Sequence, residues 1–191
     1  MSLTLITTRR FGDARGWFTE SYNAARFDNW GLAYHWCQDN HSYSAAAGTL
    51  RGLHFQTGDH LQAKLVRCLR GAIYDVAVDL RATSPSYKQW RGFTLSAENG
   101  AQLLIPKGYA HGFLTLTSDC EVAYKVDAPY APEADGGVAW DDSDIAVDWP
   151  LPAEGESPAL SSKDAALPKL AQFAPDFPYD GQPLSVREIV Q

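Results

Sequence analysis

Long hydrophobic runs are missing from this sequence. Across its 191 residues no apolar stretch approaches the roughly 18 needed to cross a bilayer as a helix. The nearest, from Leu103 to Leu116, is broken by Lys107 and His111. A transmembrane span is excluded. The first residues carry no basic segment ahead of a long apolar stretch, so no signal peptide is expected and the expected location is cytoplasmic. Cysteine is scarce too: Cys37, Cys68 and Cys120 form no C-x-x-C pair, which fits neither a disulfide framework nor a zinc ribbon. Free, mostly buried thiols are expected. Positive charge is short overall, with 16 Lys and Arg against 23 Asp and Glu, a net −7. The deficit is uneven, because residues 1–118 are net positive by 4 and residues 119–191 net negative by 11. That balance argues against nucleic acid as a partner. It leaves room for an anionic small molecule on the first part; an acidic remainder that only adds solubility is the other reading.

The remainder is ordinary for a globular chain, with 45% hydrophobic and 20% charged residues. A chain of this length is expected to form one domain and to bury about 70% of its unfolded surface without staples. Short alternating runs dominate the middle. In Tyr74–Leu80, Tyr74, Val76, Val78 and Leu80 share one face and Asp75, Ala77 and Asp79 the other, the pattern of a half-buried strand. Similar runs span 49–55, 64–68, 92–96, 102–105, 113–116 and 121–126, many of them separated by Gly71, Ser84-Pro85, Asn99-Gly100 and Pro106-Lys107-Gly108. Helices are expected only at the flanks. One is capped by Ser21 or Asn23 and ended by Gly31, and the other opens at Ser161-Ser162. Pro150, Pro152 and Pro158 mark a loop before the second helix. Pro175, Pro178 and Pro183 make the tail an extended arm. The expected class is mostly β, a sandwich or barrel.

Two histidines stand where chemistry is plausible. His54 lies in the strand Arg51–Gln56, where strict alternation puts 51, 53 and 55 on one face and 52, 54 and 56 on the other. His111 follows the turn at Pro106–Gly108. Gly100-x5-Pro106-x-Gly108-x2-His111 resembles the second motif of the cupin superfamily. The first motif is eroded: His54 is in place, Gln56 occupies the second ligand position, and no glutamate follows. His60 is close in sequence but sits in a polar turn. A metal needs three or four donors, and two of four remain. Three readings stay open from these residues: a metal site, histidines satisfied inside the core, and metal-free chemistry.

The order of further motifs narrows this. Phe11-x-Asp13-x-Arg15-Gly16-x-Phe18-x-Glu20 is followed by Gln38-x-Asn40-x-Ser42, Leu50–Gln56 and Gln62–Val66. Asp75-Val76-x-Val78-Asp79-x-Arg81-x-x-Ser84-Pro85 comes next, then Pro106-x-Gly108-x-Ala110-His111-Gly112-Phe113 and Tyr124-Lys125. Tyr130-x-Pro132, Trp140-Asp141-Asp142, Trp149-Pro150 and Leu160-Ser161-x-Lys163-Asp164 complete the series. Over about residues 9–172 the chain resembles the dTDP-4-dehydrorhamnose 3,5-epimerases, metal-free cupins. Ala63 in place of a glycine and a short insertion around Glu154 are the departures.

The resemblance implies a cupin-type antiparallel jelly-roll barrel with short flanking helices; one domain over 1–191 is expected, its C-terminal arm from about 173 lying outside the resemblance. It implies a dTDP-linked 4-keto-6-deoxy hexose as substrate, with no metal, redox cofactor, nucleic acid or membrane needed. Catalytic roles carry over to His54 as base, Asp164 as its orienting anion, Tyr124 as acid and Lys64 as the partner of the enolate oxygen. Arg15 and Arg51 would pair phosphate, Glu20, Gln38 and Asn40 the nucleotide, and His111 the sugar or phosphate. Tyr130 would stack on the base with Phe18 nearby, and Asp135 and Lys163 complete the binding set. Local pattern alone allows plainer roles: Tyr124 as strand packing, Lys64 snorkelling to water, and Asp164 as an acid in a helix first turn. An epimerase acting at C3 or C5 only, a metal-dependent cupin and a non-catalytic sugar-nucleotide barrel are the rival functions. A homodimer is expected, by the same resemblance and because small barrels leave edge strands to cover.

Overall fold

The structure, a computed structural model, describes residues 1–151, 157–173 and 176–191. The expected insertion at Glu154, with Pro152 and Pro175, lies outside the described residues. In chain order the elements are β1 (Leu3–Thr7), β2 (Phe11–Asp13), β3 (Gly16–Phe18), α1 (Ala24–Asn29), β4 (Gln38–Ser44), β5 (Leu50–Gln56) and β6 (Lys64–Arg70). They continue with β7 (Ala72–Asp79), β8 (Trp90–Ser96), β9 (Ala101–Ile105), β10 (Tyr109–Thr115), β11 (Cys120–Val126), β12 (Asp135–Gly137), α2 (Ser162–Ala165) and β13 (Val186–Val190).

Two sheets form the body. One runs β13-β1-β9-β6-β11-β4 and the other β12-β5-β10-β7-β8, while β2 and β3 make a separate hairpin. Every pair is antiparallel except β13, which lies parallel to β1. This is the expected mostly-β jelly roll with short helices. Between the sheets pack Leu3, Val66, Ile73, Leu95, Leu103, Phe113 and Val122. The outer face of the five-stranded sheet is also apolar, with Leu53, Val76, Val78 and Leu114 covered by Val138, Ile145, Trp149 and Phe177. On the other sheet Ile6, Leu65 and Leu104 are covered by Phe27 of α1 and by Leu32.

Double covering corrects the reading of β7. Its Asp75 and Asp79 face the protein interior and are fully buried, so the strand is buried on both faces rather than one. Buried carboxylates must find donors. Asp79 receives Arg81 Nε at 2.8 Å and the hydroxyls of Ser84 and Ser86 at 2.7 Å each. The helices start where capping chemistry places them. Asn23 Oδ1 accepts the Arg26 amide at 3.1 Å, and Ser161 Oγ accepts that of Asp164 at 3.0 Å. The arm after Phe173 is anchored: Phe177 and Leu184 are buried, and β13 closes one edge of the larger sheet. Cys68 and Cys120 are buried free thiols, and Cys37 is free and exposed. Among the described residues no helix is long and apolar enough to cross a membrane.

Candidate active site

The site lies at one end of the sandwich, where β4 and β6 begin and β5 and β11 end. Its first determinant is an irregularity in β5. Opposite β10, His111 pairs His54 but Phe113 pairs Arg51, so β5 carries one extra residue. Such a bulge inverts the alternation on one side of it. Arg51 therefore shares the cavity face with His54, while Leu50, Leu53 and Phe55 all pack outside the sheet. This overturns the strict alternation read from the sequence, which put Arg51 with 53 and 55. Gly52 makes the bulge feasible. Its φ of +129° disfavours any other residue, and an added Cβ would lie 2.6 Å from Gly112 Cα.

His54 is held by a carboxylate. Its Nε2 lies 2.5 Å from Asp164 Oδ1, and Ser161 Oγ donates to Asp164 Oδ2 at 2.7 Å. Burial by itself would raise the pKa of Asp164. The hydrogen bonds from His54, Ser161 and the Gly52 backbone outweigh it and hold the carboxyl below its usual value. A second pair lies deeper. His111 Nε2 is 2.7 Å from Asp75 Oδ1, and both residues are buried. Burial pushes the His111 imidazole below its ordinary value despite Asp75, so it stays neutral. Among the described residues Asp75 Oδ2 has no hydrogen-bond partner. The sequence reading missed Asp75 as a site residue. An acid inside the otherwise apolar stretch Ile73–Val78 was the available signal.

Lys64 does not snorkel to water. It is 8% exposed, with Nζ 3.5 Å from the His54 carbonyl oxygen, and burial lowers its pKa to about 8 against the opposing pull of Asp75 and Asp135. Tyr124, on β11, lines the same cavity from the opposite sheet to His54. Burial raises its phenol, and Arg51 counters part of that rise. Arg51 is itself fixed by the Tyr43 carbonyl at 3.0 Å and Ser44 Oγ at 3.2 Å. Phe113 and Ser42 complete this chamber; neither was singled out from sequence as a site residue.

A second, more polar chamber shares His54, Lys64, Tyr124 and Lys163 with the first. It extends outward past Gln38, Asn40, Gln62, Tyr130 and Asp135. Lys163 pairs with Asp135 there, and the Tyr130 hydroxyl donates to Asp135 at 3.1 Å. Gln38 bonds Asn40 at 2.8 Å. Eleven of the fourteen site residues expected from the sequence thus gather at one mouth. Arg15, Phe18 and Glu20 do not. Arg15 pairs with Asp13 on the separate hairpin, Phe18 is 68% exposed beside it, and Glu20 meets Asn23 and Arg26. Among the described residues no three His, Cys, Asp or Glu side chains are grouped as a metal ion would require.

Comparison with known proteins matches the chain to a family. The family model of dTDP-4-dehydrorhamnose 3,5-epimerase matches residues 1–172. A protein of that description from Sinorhizobium fredii (strain NBRC 101917 / NGR234) is 48% identical over 175 residues, covering 92% of this chain and 88% of its own. The crystal structure of the Bacillus anthracis str. Ames dTDP-4-dehydrorhamnose 3,5-epimerase, with TDP and PPi bound, superimposes with a TM-score of 0.83. It is 53% identical and covers 86% of this chain and 92% of its own. The Legionella pneumophila Philadelphia 1 3,5-epimerase, in complex with dTDP-4-keto-L-rhamnose, gives 0.83 at 40% identity, covering 93% and 100%. The chain belongs to the dTDP-4-dehydrorhamnose 3,5-epimerase family, the isomerases of dTDP-L-rhamnose biosynthesis.

Proposed function

We propose that the inner chamber holds the 4-keto-6-deoxy hexose and the outer, polar chamber the dTDP, with His54 and Tyr124 exchanging protons on opposite faces of the sugar. One observation supports this most: the two side chains project into one cavity from different sheets. C3–H and C5–H both flank the C4 ketone. Because Nε2 of His54 faces an ionised Asp164, that nitrogen carries the proton and Nδ1 offers its lone pair. His54 Nδ1 takes the carbon-bound proton, and the bonding electrons move through the C4 carbonyl onto O4. The ammonium of Lys64 neutralises the resulting enolate oxygen. Tyr124 then protonates the carbon from the other face, and Arg51 stabilises the phenolate left behind. The proton on His54 passes to solvent as Tyr124 regains one, and the cycle repeats at the second carbon.

Lys163, shared by both chambers, supplies positive charge toward the diphosphate, with Arg51 on the inner side, and Tyr130 offers an exposed ring for the thymine. Arg15 and Phe18 lie off this chain's own cavity, on a hairpin whose Phe11 and Trp17 are also exposed. We assign them to the site of a second copy, in a homodimer whose hairpins exchange. Light scattering at micromolar concentration tests the dimer, and a monomer removes it. Incubation with dTDP-4-keto-6-deoxyglucose in D2O tests the chemistry, with deuterium expected at both C3 and C5. Label at one carbon only would leave a mono-epimerase. His54→Ala is expected to lose at least the roughly 10²–10⁴-fold that a general base supplies.

A further inference from the structure

Gln56 occupies the position at which the cupin pattern expects a second metal ligand, yet its amide is spent on neither metal nor catalysis. The side chain is buried. Its Nε2 donates to the His60 carbonyl at 2.7 Å and to the Pro129 carbonyl at 3.2 Å, and its Oε1 accepts the Ala131 amide at 2.8 Å. The last two contacts flank Tyr130 in sequence. Tyr130's own amide donates to Gln38 Oε1 at 3.0 Å. Three consecutive backbone units are therefore tied by side chains of β5 and β4, one strand from each sheet. Among the described residues the Tyr130 side chain, half exposed, makes one hydrogen bond, from its hydroxyl to Asp135.

We infer that Gln56 is a positioning residue for nucleotide recognition. Its amide clamps the 58–60 turn to the 129–131 loop and so aims the Tyr130 ring at the base. A stacking platform is effective only if its ring is held before the ligand arrives, since ordering a loop on binding subtracts from affinity. The inference rests on the proposed role of Tyr130 in stacking on thymine.

The test separates the two. Gln56→Met keeps volume and neutrality but leaves two carbonyls and one amide without partners. Its Kd for dTDP by calorimetry and its KM should each rise roughly tenfold, in the range that loss of one base–aromatic stack produces, with kcat within about twofold. Tyr130→Ala should raise Kd comparably. In the Tyr130→Ala background, Gln56→Met should then cost almost nothing more, because its effect runs through the ring. Gln56→Asn keeps an amide one methylene too short and should show the same split more mildly, which covers the case that the Met variant does not fold. If Tyr130→Ala leaves dTDP affinity unchanged, the stacking reading fails and this inference with it. If Tyr130→Ala weakens dTDP while the Gln56 variants do not, only the inference fails. Losses that multiply in the double variant, or a fall in kcat at constant KM, also overturn it.

Discussion

Lys64 is a cation in a place that disfavours cations, and its two consequences have opposite signs. With a pKa near 8 in the fold against 10.5 unfolded, the unfolded chain binds more protons between those values, so stability rises as pH climbs through that window. Activity goes the other way, because a neutral amine cannot offset charge on O4. An alkaline limb near pH 8 is therefore expected in kcat/KM, while denaturant midpoints increase over the same range. Lys64→Met should lose activity by about 10²-fold or more yet melt at a higher temperature at pH 7; a lower melting temperature would show that the ammonium stabilises the fold. Tyr124→Phe differs in kind. It keeps the ring packed against the core but removes the proton donor, so substrate protons should wash out into D2O while inversion is impaired. Inversion of both centres at the wild-type rate would assign the acid elsewhere. Both residues were legible in the sequence only through family motifs, since a lysine in an apolar run and a tyrosine in a strand have commoner plain roles.

Within elements, legibility followed local chemistry. Both helix starts could be read because a capping side chain announces them, and the central strands because alternation and turn residues bound them. β4 was not read as a strand, since Gln38–Ser44 is almost wholly polar and its inward side is the site itself. β13 was missed because parallel pairing with β1 links residues at opposite ends of the chain. The β5 bulge was invisible for a different reason: it is set by the close approach of Gly52 to Gly112, a tertiary fact. That bulge gives Arg51 and His54 a common face. Gly52→Ala must either shift β10 or lose the positive φ, and a loss of about 2 kcal/mol or more is expected, with activity falling further than stability. Urea unfolding beside kcat measures the two. A variant as active as wild type would show that the bulge survives without glycine.

Over the whole molecule, the buried ionisable groups set an order for acid destabilisation. His111 is buried and neutral, with its folded pKa below the usual 6.5. The unfolded chain therefore takes up a proton first, and stability present above pH 6.5 drains as pH falls below it. Asp164 and Asp79 have folded values below 3.8. Their contributions stay intact above that value and are lost only as pH falls through the lower folded range. Urea midpoints should therefore be insensitive to these three groups between pH 7 and 8, decline from about 6.5, and fall again below about 4. The two phases separate by mutation. His111→Gln cannot take up a proton and keeps an amide to offer Asp75, so its midpoint should start lower at pH 7 but lack the decline near pH 6, with the acid phase retained. Arg81→Met instead strands Asp79, fully buried, without its guanidinium. It should cost about 3–5 kcal/mol at neutral pH and less below pH 4, where Asp79 can protonate. Should His111→Gln keep the wild-type decline between pH 6.5 and 5, the proton uptake belongs to another histidine, and the buried His111–Asp75 pair is not what makes the fold sensitive to mild acid.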